Sequence, residues 1–150
     1  MEYFVGASLA LGVGLFATLV GFDRDRAFYP TVLIVIASYY DLFAMMGQTQ
    51  AALPVETAGL IVFTVLAVVG FRTSLWWVVA ALVGHGVFDL VHPRLVDNPG
   101  APGWWPMFCL TYDLAAGAYL AVRLLAARSS GSQSRWTRML KPSSARDATK

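Results

Sequence analysis

Two histidines and an aspartate within one short stretch are the residues of this chain best suited to chemistry. The stretch, residues 84–92, reads Gly84-His85-Gly86-Val87-Phe88-Asp89-Leu90-Val91-His92 and holds both histidines of the sequence. On a helix, positions i, i+4 and i+7 share a face, which aligns His85, Asp89 and His92. Imidazole and carboxylate suit zinc, and three such groups plus a water make a catalytic centre. The same pair can also move protons as acid and base. Asp113 and Asp41 join the candidates because neither has a basic residue one helical turn away. The candidate catalytic set is therefore His85 and Asp89 with Asp113 and Asp41, and the candidate metal ligands are His85, Asp89 and Asp113. A zinc ion held there would activate a water toward an ester or amide of a lipophilic substrate.

The surroundings of these groups follow from composition. Of the 150 residues, 57% are hydrophobic and 13% charged, against about 45–50% and about 25% in soluble domains. This is the composition of an integral membrane protein, all-α and multi-pass, in the cell membrane (the inner membrane if the source is bacterial). The single cysteine, Cys109, excludes an intramolecular disulfide and a thiol-only metal site. Met1-Glu2-Tyr3-Phe4 lacks the basic start of a signal peptide, so the first apolar segment is expected to be retained.

A bilayer core about 30 Å thick needs roughly 20 apolar residues per helix. Five segments qualify: about residues 3–21, 28–47, 54–72, 74–93 and 104–128. Pro54 suits a first helical turn, Pro93 is expected to end the fourth helix, and Trp76, Trp77, Trp104 and Trp105 sit at interfaces. Arg24, Arg26, Arg72 and the seven basic residues from Arg123 onward fall on one side, against Arg94 alone on the other. The positive-inside rule then predicts the N-terminus outside and the C-terminus in the cytoplasm. Residues 1–128 form the transmembrane domain, and residues 129–150 are read as a basic, disordered cytoplasmic tail able to touch anionic lipid.

Rise per residue sets depth. Measured from the outer end, Asp41 lies about 9 Å down its helix, Asp89 roughly 5 Å and His85 roughly 10 Å below His92, and Asp113 about 13 Å in. The ionisable groups thus gather in the outer half, where aspartates facing lipid alone would cost several kcal/mol. A pocket among helices 2, 4 and 5 is the expected remedy, with His85 and Asp89 on one wall, Asp41 and Asp113 opposite, and His92 on its rim. Other residues have plainer readings. Glu56 is a favourable charge at a helix N-terminus, and Cys109 is a small packing residue. His85 and Asp89 could also simply hydrogen-bond to each other.

The segments 71–76 (Phe-Arg-Thr-Ser-Leu-Trp), 84–92 and 104–113 (Trp-Trp-Pro-Met-Phe-Cys-Leu-Thr-Tyr-Asp) together resemble a family of small bacterial integral-membrane proteins, a domain of unknown function. Its pattern is a His-x-x-x-Asp-x-x-His helix followed by a helix carrying Trp-Trp-Pro, Cys and Tyr-Asp. The resemblance covers about the C-terminal half and groups His85, Asp89, His92, Cys109 and Asp113 into one unit, but it implies no activity. Three function classes follow: a metal-assisted enzyme or binder of a lipophilic molecule, a proton- or cation-coupled transporter, and an accessory subunit of a membrane complex. Transport through so few helices would require a homo-oligomer. Neither a phosphate-binding glycine loop nor a nucleic-acid signature is present.

Overall fold

Every regular element in the computed structural model is helical, and the model describes residues 1–48 and 50–139, with side chains to residue 129. Helix α1 (Glu2–Val20) ends at Gly21, whose φ of 90° is the left-handed conformation a glycine adopts without penalty. A 3-10 turn, Phe22–Arg24, leads to α2 (Phe28–Ala37) and α3 (Tyr39–Met46). These are followed by α4 (Leu53–Arg72), α5 (Trp76–Leu95) and α6 (Trp105–Met139). Five spans are long and apolar enough to cross a membrane: α1, α2 with α3, α4, α5, and residues Trp105–Ser129 of α6.

Three boundaries depart from the sequence reading. The second span breaks at Ser38, whose hydroxyl donates to the Val35 carbonyl at 2.7 Å and competes with the helical ladder. Pro93 lies inside α5, which continues to Leu95; the ring's missing N–H removes the helical donor for the Asp89 carbonyl. Finally, α6 runs past Arg128 to Met139, so the first part of the expected irregular tail is helical, while residues 140–150 lie outside the described residues. The chain divides into two compact units, Met1–Leu120 and Ala121–Lys150, and every candidate residue belongs to the first.

Small residues set the packing of α1. Its buried stripe is Gly6, Ala10, Gly14 and Ala17. A Cβ at Gly6 would collide with the Phe108 carbonyl, and one at Gly14 would come within 2.9 Å of the Tyr119 ring, so α1 lies directly on α6. The Thr18 and Tyr119 hydroxyls share a 2.8 Å hydrogen bond at the same interface. Helix α2 instead packs on α4 and α5. At one end, called lower here, Arg26 donates to the Thr73 carbonyl at 3.1 Å and ties the first connection to the end of α4. At the opposite, upper end, the loop after α5 folds onto α3, with Gly100 against the Phe43 carbonyl.

Candidate functional site

Helix α5 supplies the centre. Its buried residues, Val78, Ala81, Leu82, His85, Gly86, Asp89 and His92, recur every three or four positions and form the inward stripe. The polar groups therefore share the face that packs, not a solvated one. Two separate clusters grow from this stripe, one at each end of the stretch 85–92.

The lower cluster comprises His85, Asp89, Cys109 and Asp113, whose ligand atoms all lie within 4.8 Å of one another. They are 1%, 0%, 2% and 0% exposed respectively. Cys109 and Asp113 stand at i and i+4 on α6, so one helical turn directs both toward α5. His85 Nδ1 is 2.8 Å from Asp113 Oδ2 and 3.4 Å from Asp89 Oδ2. Phe63 of α4 closes one side, its ring edge-on to the imidazole at 4.6 Å. The Tyr40 hydroxyl and Cys109 both interact electrostatically with Asp89. Even so, neither Asp89 oxygen makes a hydrogen bond among the described residues, nor does Asp113 Oδ1. Buried polar atoms are seldom left in that condition, and unmet carboxylate oxygens are the costly kind.

This donor set matches a small divalent cation. One imidazole nitrogen, one thiolate and two carboxylates are all accepted zinc ligands. A tetrahedron with bonds near 2.1 Å separates its ligand atoms by about 3.4 Å, so the group closes on an ion through movements on the order of an ångström.

The upper cluster joins four elements. The Nε2 of His92 lies 2.9 and 3.0 Å from the two Glu56 oxygens, which accept from it. Asn98 Nδ2 donates to Glu56 Oε1 at 2.7 Å and to the Tyr40 carbonyl at 3.1 Å. The Tyr40 ring stacks on His92 with centroids 3.8 Å apart. All four residues are buried.

The sequence reading and this geometry part in four places. His85, Asp89 and Asp113, on two different helices, lie close together, and Cys109, read as packing, completes the group. Asp41 is not brought in: its Oδ1 accepts from Thr57 on α4 at 2.6 Å, while the neighbouring Tyr40 takes the inward position on α3. Glu56 and His92, read as a helix-end charge and a rim residue, are each other's buried partners. Depth counting had placed both at the upper end, so their pairing could have been found. Asn98 sits in a turn-forming run, and no sequence signal connects it to Glu56.

A cavity of about 730 Å³ opens between α1 and α2, with α6 behind it. Its lining is mainly apolar and aromatic and runs from Phe22 and Phe28 at the lower end to Tyr39 and Trp105 at the upper. Cys109 is part of this wall as well as of the lower cluster, so the two adjoin. Neither a family model, nor a curated protein, nor a solved structure matches the chain.

Proposed function

We propose that the chain is a multi-pass membrane protein that holds a zinc-type ion with His85, Asp89, Cys109 and Asp113 and acts on, or binds, a lipophilic molecule beside it. Membrane insertion rests on the five apolar helices, and orientation on the basic residues clustered at the lower end and along α6. In that orientation the N-terminus is external, and both polar clusters lie toward the outer leaflet. Membership of the unknown-function family resembled by residues 71–113 is part of the same proposal.

The observation that carries the metal reading is the unmet acceptor capacity of the lower cluster: three carboxylate oxygens without hydrogen bonds beside a histidine and a cysteine. A cation bound through one oxygen of each aspartate takes up the free Asp113 oxygen and one of the two on Asp89. The ion would polarise a carbonyl or lower the pKa of a bound water, given one exchangeable position. Asp89 is the ligand least restrained by hydrogen bonds and therefore the one able to yield that position. The adjoining apolar cavity supplies a place for a lipophilic ligand.

Elemental analysis of gently extracted protein is the direct test. The expected result is about one zinc per chain, lost in Asp113→Asn and in His85→Ala. Sub-stoichiometric metal in the native protein, or metal that survives both substitutions, sinks the reading.

A metal-free alternative has one observation of its own, the 2.8 Å contact of His85 with Asp113. A carboxylate holding Nδ1 orients an imidazole for proton transfer, which would serve an isomerisation of a lipophilic substrate. Ligand turnover by metal-free protein would favour it.

A further inference from the structure

We infer that Tyr40 is a positioning residue of the lower cluster: its hydroxyl, set in place by the upper cluster, donates to the Asp89 oxygen left over when the other coordinates the ion. The inference rests on the metal-centre reading for the ion itself; the placement of Tyr40 stands on its own contacts.

The starting point is a set of unpaired groups at one place. Tyr40 is 2% exposed, and its buried hydroxyl has no hydrogen bond among the described residues. Both Asp89 oxygens are in the same condition, and the hydroxyl interacts with that carboxylate. A phenol O–H can donate, whereas an ionised carboxylate only accepts. A donor and two acceptors side by side are therefore complementary, and each is costly while it lacks a partner. With one Asp89 oxygen on the ion, the second is the acceptor that remains for Tyr40.

The upper cluster explains why the phenol is held at that point. Asn98 Nδ2 donates to the Tyr40 main-chain carbonyl at 3.1 Å, and the Tyr40 ring stacks on His92 at 3.8 Å with 25° between the planes. Phe88, the residue before Asp89, sets its ring at 90° to that of Tyr40 with centroids 6.3 Å apart. Main chain and ring are thus both fixed by groups outside the ligand set. His92 and Asp89 are three residues apart on α5, about 4.5 Å along its axis. A ring on His92 and a hydroxyl beside Asp89 therefore span the distance between the clusters. Outer partners of this kind fix the orientation of a ligand. Asp89 is the ligand able to yield its place on the ion, and Tyr40 is the partner it keeps when it does.

The test uses the full chain in lipid nanodiscs, with zinc(II) and cobalt(II) as probes. Tyr40→Phe keeps the ring for His92 and the main-chain carbonyl for Asn98, and removes the hydroxyl alone. Chelator competition should show zinc bound at least about tenfold more weakly, the loss expected when a ligand is deprived of its outer partner. About one zinc per chain should still be reached at saturation. In Asp89→Ala the hydroxyl has no carboxylate to hold, so adding Tyr40→Phe there should change affinity by less than about twofold. Cobalt-loaded Tyr40→Phe should also absorb more weakly in the visible than the parent protein, because the released Asp89 oxygen turns to the ion and raises its coordination number. A residue that merely supports the fold would lower the unfolding temperature and leave the cobalt spectrum alone. Unchanged affinity and spectrum in Tyr40→Phe, or an equal loss of affinity with and without Asp89, overturns the inference while the metal centre stands. A parent protein that binds no zinc removes both.

Discussion

The two histidines of α5 meet acids in opposite ways. At the upper end, His92 and Glu56 satisfy each other, Asn98 takes a further carboxylate lone pair, and Tyr40 covers the ring. At the lower cluster, His85 meets two carboxylates and a cysteine, and three of the four carboxylate oxygens have no hydrogen bond. Among the described residues, the Asn98 side-chain oxygen and the Tyr40 hydroxyl are the polar atoms the upper cluster leaves without a hydrogen bond, and neither carboxylate oxygen of Glu56 is among them. A network that joins four elements holds a fold together. A converging set with spare acceptors is arranged for something that arrives later.

Substitutions can break that contrast. The largest effect belongs to the upper cluster: His92→Ala takes a hydrogen-bond donor from the buried Glu56 carboxylate and should cost about 3 kcal/mol, the penalty for a buried acceptor left short of a partner. Unfolding of detergent-solubilised protein should show the loss, while zinc per folded chain stays unchanged. At the lower cluster the effect should move from stability to affinity. Asp113→Asn removes both a ligand and the His85 partner, and competition with a chelator should report zinc binding weaker by at least about a hundredfold, beyond what a merely orienting group contributes.

The contrast sharpens where the signs differ. Asp89→Asn takes away a buried carboxylate with no hydrogen bond, so metal-free protein should gain about 1 kcal/mol in unfolding free energy even as zinc affinity falls. A loss of metal-free stability comparable to that of His92→Ala would mean the two clusters do the same work. Asp41→Asn is expected to change stability by no more than about 0.5 kcal/mol, because the hydrogen bond from Thr57 is exposed and the other Asp41 oxygen has no hydrogen bond to lose. Zinc content should not move.

Much of this architecture was readable from residue order alone. Span lengths and the shared face of His85, Asp89 and His92 follow from helical period and bilayer thickness, both local properties. What period could not supply was partnership between helices. Depth counting put Asp41, Asp89 and Asp113 in one half of the bundle, but it does not say which way each residue faces, and on α3 Tyr40 rather than Asp41 is buried. Cys109 was read as packing because a single cysteine carries no spacing pattern; its role is visible only once α6 is laid against α5. The Asn98 contact depends on a loop folding back over α3, with Gly100 against the Phe43 carbonyl. Hydrophobic pattern is silent about that kind of closure. The cavity is likewise a consequence of which helix each neighbour chose, with α1 on α6 and α2 on α4.

X-ray absorption at the zinc edge, on full-length protein loaded with one equivalent, tests the central claim most directly. The account predicts a first shell with one sulfur at about 2.3 Å and nitrogen or oxygen ligands at about 2.0–2.2 Å, the sulfur contribution vanishing in Cys109→Ser. A shell without sulfur, or one identical in the Cys109→Ser variant, would contradict it.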